Sequence, residues 1–408
     1  MKLYVFNPDS DMALAHNDEN YMAPAPIRQM EHDLALLPMW YAQPGSAVLA
    51  PSAYNAAYLK TMQQIFSLPI QLITEPELPE YAEAQVMPWG WNPAIRKRLL
   101  NGGILERKLP TAERLAEYRK LSSRETSMDI LGVFDFEEEE WSCGQSYYLS
   151  SPYSCEEFVR IFKPCVLKAP WSGSGKGLNW CQGVFTKSIE GWCERVLREQ
   201  GFVVGEPYCN KVEDFAMEFY SDGHGELLFV GYSLFTTNKT GAYNGNVLMS
   251  SSAIEKKIEK YVSLAVLVRL RERMRSMLME RYNASYTGYL GVDMMVCLLR
   301  DNRYAIHPCV EINMRMNMGV VSCLFYENFM APESTGHFYI ESNSTNSELQ
   351  EKHEQNLKDY PLLVENGRII SGYLPLVPVS KQCRYRAYVM VQPLEPEYLV
   401  LSPWHYKQ

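Results

Sequence analysis

Apolar and polar positions along the first third of the chain predict strands and helices in turn. Lys2–Phe6 is a short, mostly apolar run of strand character, Gln29–Leu37 carries a helical period, and Ala47–Ala50 predicts a second strand. Asn55–Phe66 is again helical and Ile70–Ile73 again strand-like. This βαβ rhythm predicts a small parallel sheet with crossover helices over residues 1–110. The loop after the first strand, Asn7-Pro8-Asp9-Ser10-Asp11, would lie at the sheet's carboxyl edge, where α/β proteins take ligands. It equally suits an Asx turn ahead of a helix. Tyr21, Pro24 and Arg28 lie close by in sequence and are candidates to help hold a substrate.

Residues 111–127 predict a polar helix pair, and Glu137–Glu140 an acidic, solvated loop. The stretch 341–355 predicts a loop and helix, followed by strands at Arg368–Leu374 and Cys383–Val391. No repeat of fixed period and no low-complexity segment interrupts the chain.

Two segments depart from this patterning in ways that carry chemistry. The first is Val166-Leu167-Lys168-Ala169-Pro170-Trp171-Ser172-Gly173-Ser174-Gly175-Lys176-Gly177. A strand-like apolar run ends in Lys168, and a loop with glycines at 173, 175 and 177 follows. Such a loop can turn its amides inward as a nest for phosphate oxygens, with Lys168 and Lys176 adding charge. A P-loop is excluded, because Pro170 and Gly177 stand where its first Gly and its Ser or Thr belong. Leu178 likewise replaces the third glycine of a dinucleotide fingerprint.

The second segment, Gly288–Gly319, places two β-rich runs around Asp301-Asn302-Arg303, which has hairpin-turn composition. A turn centred on Asn302 makes residues summing to 604 face each other, which pairs Asp293 with Glu311. Asn313 and Arg315 then point to the same side. Two opposed carboxylates repel, unless a divalent cation reverses the sign; Mg²⁺ favours one or two carboxylates plus substrate phosphates. Pro308 is a candidate bulge within the second run. Cys297, His307 and Cys309 share a parity, which would allow a soft-metal site, although buried cysteines and a satisfied core histidine explain them more simply.

Composition narrows the function classes. The chain has 408 residues, 47% hydrophobic and 21% charged, which fits two or three folded domains. Its net charge of −9 argues against nucleic acid as partner. The most basic stretch, Arg269–Arg281, contains Glu272 and Glu280 and reads as a solvated helix face. The amino-terminal run reads as a strand rather than a signal peptide, and Tyr261–Val268 is too short to span a bilayer. Ten cysteines without a Cys-x-x-Cys pair suggest reduced thiols in a cytoplasmic enzyme.

A glycine nest with two lysines, followed by a hairpin bearing Asp, Glu-x-Asn and Arg, resembles the ATP-grasp superfamily over residues 111–330. The resemblance implies an α/β (α+β) ATP-grasp fold with an N-terminal βαβ domain (1–110), an ATP-grasp domain of two subdomains (111–330) and a C-terminal extension (331–408). Lys168 resembles the lysine that holds the ATP phosphates, and Trp171–Gly177, with Ser172, Gly173, Ser174, Gly175 and Lys176, the mobile flap over them. Ser122-Ser123-Arg124 is similar to the segment of an earlier family lysine, here Arg124. Val203–Cys209 looks like the adenine hinge, with Glu206 and Tyr208 in it and Glu213 matching the ribose acid. Asp293, Glu311 and Asn313 match the magnesium ligands and Arg315 the family arginine. Gly291 stands where some members carry an arginine before the first metal acid.

The activity so implied is that of a ligase using ATP and Mg²⁺. A carboxylate attacks the γ-phosphate to give an acyl phosphate, which an amine or other nucleophile then displaces, with Lys168 and Arg315 as catalytic groups. The partners implied are small-molecule or peptide carboxylates and amines, with neither nucleic acid nor a membrane, and with room for a homodimer. A kinase that stops at phosphorylation and a non-catalytic nucleotide-binding module are the alternatives.

Overall fold

The computed structural model describes residues 1–51, 53–173, 177–237, 243–282, 285–343 and 347–393. Ser174, Gly175 and Lys176 of the expected nest lie outside the described residues.

The first sheet is parallel, in the order β3-β2-β1-β4, from β1 (Lys2–Val5), β2 (Ala47–Leu49), β3 (Gln71–Ile73) and β4 (Gln85–Pro88). Helices α1 (Ser10–His16), α2 (Ala25–Leu34), α3 (Ala53–Ile65) and α4 (Pro93–Asn101) accompany it. The predicted helix at Gln29–Leu37 is α2, which starts earlier because Pro24 and Pro26 fix its first turn. Asn92 caps α4 by accepting the Ile95 N–H at 2.9 Å.

Two polar helices follow, α5 (Ala112–Leu121) and α6 (Arg124–Leu131), capped by Thr111 and Ser123. A small antiparallel sheet then forms in the order β5-β8-β6-β7, from β5 (Tyr147–Leu149), β6 (Cys165–Lys168), β7 (Leu178–Cys181) and β8 (Val203–Pro207). Helices α7 (Pro152–Ile161) and α8 (Lys187–Gln200) bury Phe158, Val159, Ile189 and Val196 against it.

The largest sheet is antiparallel and has nine strands. Its members are β9 (Lys211–Asp222), β10 (Leu227–Thr237), β11 (Tyr243–Leu248), β12 (Thr287–Leu298), β13 (Tyr304–Asn313), β14 (Ser334–Ser342), β15 (Leu363–Glu365), β16 (Arg368–Pro375) and β17 (Tyr385–Pro393). Their order is β13-β12-β9-β10-β11-β14-β17-β16-β15, so the last strands of the chain continue the sheet that holds the acidic hairpin. Alternation along β9 and β12 explains its two faces. Phe215, Met217, Phe219, Leu290, Val292 and Met294 point one way, into a core closed by α9 (Ser251–Ile258) and α10 (Leu264–Tyr282). Glu218, Gly291 and Asp293 point the other way.

That second face is closed by α11 (Met318–Phe329) and the parallel sheet. One core joins Tyr4, Phe6 and Phe66 to Val320, Phe325 and Phe329 of α11 and to Leu374, Leu376 and Val389 of the last strands. Trp40 lies at its centre, edge-on to Phe66, Phe325 and Phe329 at centroid distances of 5.6, 5.5 and 5.1 Å, and its indole N–H bonds to the Leu376 carbonyl at 2.7 Å. The remaining helix, α12 (Glu348–Asp359), covers the outer side of the last strands through Lys352, which pairs with Glu341. Among the described residues, no helix is long and apolar enough to cross a membrane.

Candidate functional site

The acidic hairpin pairs Asp293 directly with Glu311, but by a route that counting from the turn does not give. Near the turn, residues pair with numbers summing to 602, as in Met295 with His307 and Leu298 with Tyr304. Beyond it Asp293 pairs with Glu311 and Gly291 with Asn313, a sum of 604. Between these registers β12 contributes only Met294, while β13 contributes Pro308, Cys309 and Val310. The irregularity thus adds two residues. An even number preserves the side on which every later residue points, so Glu311 and Asn313 still face Asp293. The Asn313 amide donates to Asp293 at 3.1 Å.

The electrostatics of this pair are unfavourable in the bare protein. Burial, then the facing carboxylates of Glu311 and Glu218, push the Asp293 carboxyl well above its usual range. The site has hard oxygen donors on Asp293, Glu311 and Asn313. The donor set, its charge only partly offset by Arg124 and Arg315, therefore fits a divalent cation.

Arg124 ties this pair to the glycine loop. Helix α6 starts at Arg124, whose backbone N–H donates to the Pro170 carbonyl at 3.1 Å, and Ser127 further along α6 accepts the Ile312 N–H at 3.1 Å. The buried guanidinium bonds the Ala169 carbonyl and the Ser172 hydroxyl, each at 3.0 Å, and reaches Glu311 at 2.7 Å. Its Nε has no partner among the described residues, a buried donor left for a ligand. The loop closes the β6–β7 hairpin through an Ala169 N–H bond to the Gly177 carbonyl at 2.9 Å, and Gly177 has φ +80°, a left-handed value that suits glycine. A side chain at Gly173 would meet the Asp11 carboxylate 2.7 Å away.

Lys168 and Glu206 form a buried pair at 2.6 Å on the neighbouring strands β6 and β8. Their charges reach His307 and Cys309 of β13, and burial holds the His307 imidazole down to about 4 and so neutral. Tyr208 lies just past β8 with its ring exposed and edge-on to Trp180 at 6.5 Å. Glu213 is half-buried on β9 opposite Val296, its carboxyl raised by burial against the pull of Lys257. Neither Tyr208 nor Glu213 lines the cavity beside Asp293. Cys297, His307 and Cys309 do not converge, and no group of three His, Cys, Asp or Glu with metal spacing occurs among the described residues.

Arg315 lies just beyond β13. Its Nε and Nη2 clasp Asp11 of α1 at 2.9 and 2.7 Å, and Nη1 donates to the Met316 carbonyl at 3.2 Å. The loop after β1 is held in place by Asn7, whose side chain exchanges hydrogen bonds with the Gly90 backbone at 2.8 and 3.3 Å. Pro8 and Asp11 therefore reach the acidic cavity, whereas Tyr21 and Arg28 line a separate pocket together with Asp9.

Sequence patterning did not single out Glu218. It is fully buried beside Gly291, accepts from Asn317 at 3.0 Å and Ser233 at 2.8 Å, and burial pushes it up to about 7. Any side chain at Gly291 would come within 2.6 Å of the Glu218 carboxylate and nearer still to the Asn317 amide. The space beside Gly291 is therefore taken by the Glu218–Asn317 pair and has no room for a side chain. Asp11, Glu218, Asp293, Glu311, Asn313 and Arg315 border one cavity of about 350 Å³.

Parallel amino-terminal sheet, small antiparallel sheet with a glycine-loop hairpin, and large antiparallel sheet with an acidic hairpin together make the ATP-grasp fold. The chain is similar along 97% of its length to a biotin carboxylase from Campylobacter jejuni solved as a β,γ-ATP complex, with TM-score 0.51, 12% identity and 88% of that chain covered. It also resembles a pyruvate carboxylase from Rhizobium etli, with TM-score 0.51 and 11% identity over 88% of this chain and 36% of that one. An N5-carboxyaminoimidazole synthetase from Staphylococcus aureus complexed with ADP gives TM-score 0.48 and 10% identity, over 87% of this chain and 94% of that one. No protein-family model matches the chain, and no curated protein matches it by sequence.

Proposed function

We propose that this protein is an ATP- and Mg²⁺-dependent ligase that activates a carboxylate as an acyl phosphate and joins it to an amine or other nucleophile. The observation that carries the proposal is the position of Arg124. One buried guanidinium touches the glycine loop at Ser172 and the acid pair at Glu311, and still has an N–H unused. A triphosphate lying between loop and acids would meet that donor.

Asp293, Glu311 and Asn313 would hold the metal, which when bound neutralises phosphate charge and makes the γ-phosphorus more electrophilic. Lys168, Arg124 and the loop amides would hold phosphate oxygens, Glu206, Tyr208 and Glu213 the nucleoside. Arg315 contributes positive charge at the carboxylate end while held by Asp11. With these groups fixed, a substrate carboxylate oxygen bonds to the γ-phosphorus as the bond to ADP breaks, and the walls keep water from the acyl phosphate. Ligation closes as the nucleophile bonds to the acyl carbon, phosphate leaves with the electron pair, and the nucleophile's proton passes to the departing phosphate.

The test is ADP release by the purified chain with MgATP across a panel of carboxylates, with and without amines. Phosphate release that requires both an acid and an amine supports the ligase; Lys168→Ala and Asp293→Asn should each remove it while preserving the circular dichroism spectrum. Full turnover in either variant refutes the assignment.

A further inference from the structure

The cavity that begins at the acid pair continues across the nine-stranded sheet to the last strands of the chain. From β12, which carries Asp293, to β17, which carries Tyr385, the sheet order counts five strand steps, roughly 24 Å at the usual spacing. Among the described residues, every charged side chain bordering the cavity belongs to its first end: Asp11, Glu218, Asp293, Glu311 and Arg315. The far end is lined by Phe235, Asn246, Ile340, Ser342 and Tyr385, roofed by Met30, and no charged side chain borders it among the described residues.

Alternation on the last strands produces this neutrality. Ile340 and Ser342 of β14 face the cavity, while Glu341 between them points to the opposite face. There it pairs with Arg386 at 2.6 Å and Lys352 at 2.7 Å. Arg386 is the register partner of Glu341, and its neighbour Tyr385 turns to the cavity. The roof is fixed: the buried Asp33 of α2 accepts the backbone N–H groups of Arg384 and Tyr385 at 2.7 and 3.1 Å, and so ties α2, which carries Met30, to β17. These strands are a wall of the cleft, built into its core.

Among the described residues, a single buried polar group in this wall lacks a partner. Asn246 is 1% exposed; its side-chain oxygen accepts the Tyr243 hydroxyl, and its Nδ2 has no hydrogen-bond partner among the described residues. A buried N–H that borders a cavity calls for an acceptor on whatever fills it.

We propose that the far end seats the body of the acid substrate, and that this acid is a monocarboxylate with an uncharged, partly apolar body carrying an amide carbonyl, such as an N-acylated neutral amino acid or short peptide. The inference rests on the ligase reading. The carboxylate lies toward the acid pair and Arg315, the amide oxygen accepts from Asn246, and the apolar part packs on Ile340, Tyr385 and Met30. Short dicarboxylates leave the wall empty, and a charged body buries an ion with no partner.

The experiment uses the full chain, MgATP and hydroxylamine, which traps an acyl phosphate as a hydroxamate. It compares N-acetyl dipeptide acids with neutral, acidic or basic side chains, short dicarboxylates, and a hydrocarbon acid of equal length without the amide. Neutral amide acids should give kcat/KM at least about tenfold above the charged ones. Asn246→Leu should raise KM for the amide acids about tenfold and leave the hydrocarbon acid unaffected. Ser342→Asp, at an exposed rim position that tolerates substitution, should weaken every neutral acid and spare a basic one. Preference for charged or dicarboxylic acids, or an equal loss for every acid in Asn246→Leu, overturns the proposal and leaves the ligase reading standing. Absence of hydroxamate with all acids, together with no binding of MgADP, overturns both.

Discussion

Asp11 and Arg315 are 304 residues apart in sequence and clasp each other with three nitrogen–oxygen contacts of 2.7–3.0 Å at the mouth of the cleft. The pair joins the carboxyl edge of the parallel sheet to the end of the acidic hairpin. It also sets the floor on which Gly173 of the glycine loop rests.

Removing one half of a partly buried ion pair leaves the other charge without a partner. Asp11→Ala should therefore destabilise the protein by about 2–3 kcal/mol, measured by urea denaturation monitored at the tryptophans. Asp11→Asn, which keeps one acceptor, should fall between.

Asp293→Asn should act in opposite directions with and without ligand. In the bare protein it removes an acid whose ionisation is opposed by burial and by the facing Glu311 and Glu218, so stability at pH 8 should rise by on the order of 1 kcal/mol. The increment in melting temperature that MgADP gives the parent protein should disappear. A variant that loses bare-protein stability and keeps the MgADP increment would contradict the metal assignment.

Glu218 predicts a pH profile. Its carboxyl ionises near 4.5 when exposed and at about 7 when folded, so the folded state binds the extra proton. Stability from this group is fully present below pH 4.5 and is lost as pH rises to 7, by up to about 3 kcal/mol. Glu218→Gln should flatten that slope between pH 5 and 8 in thermal denaturation. An unchanged slope would place the titration elsewhere.

Gly291→Ala tests the close packing beside Glu218. The added methyl meets the Glu218 carboxylate and the Asn317 amide, which also caps α11, so a cost of about 1–3 kcal/mol is expected in chemical denaturation.

How far the sequence carried these assignments depends on what each residue had near it in the chain. Lys168 stood out as a charge ending an apolar strand, and the alternating β and α patterning was enough to predict the parallel sheet. The facing of Asp293 and Glu311 could be counted from a turn, yet that count succeeded because the bulge that Pro308 marks inserts two residues, an even number that the local pattern does not give. Glu218 carries the same signal as Lys168, a charge within the apolar run Phe215–Phe219. The partners of Arg315 and Asn246, and the wall built by β14 and β17, depend on contacts across most of the chain. Local periodicity carries no trace of such contacts.

Trp40 and Phe66 share a core with Leu376 and Val389, so the first third of the polypeptide waits for the last to cover it. At ribosomal rates of about 5–20 residues per second, that exposure lasts from roughly fifteen seconds to a minute. During that interval the aromatic surface around Trp40 stays uncovered, and folding of the first third cannot be completed before the last strands emerge.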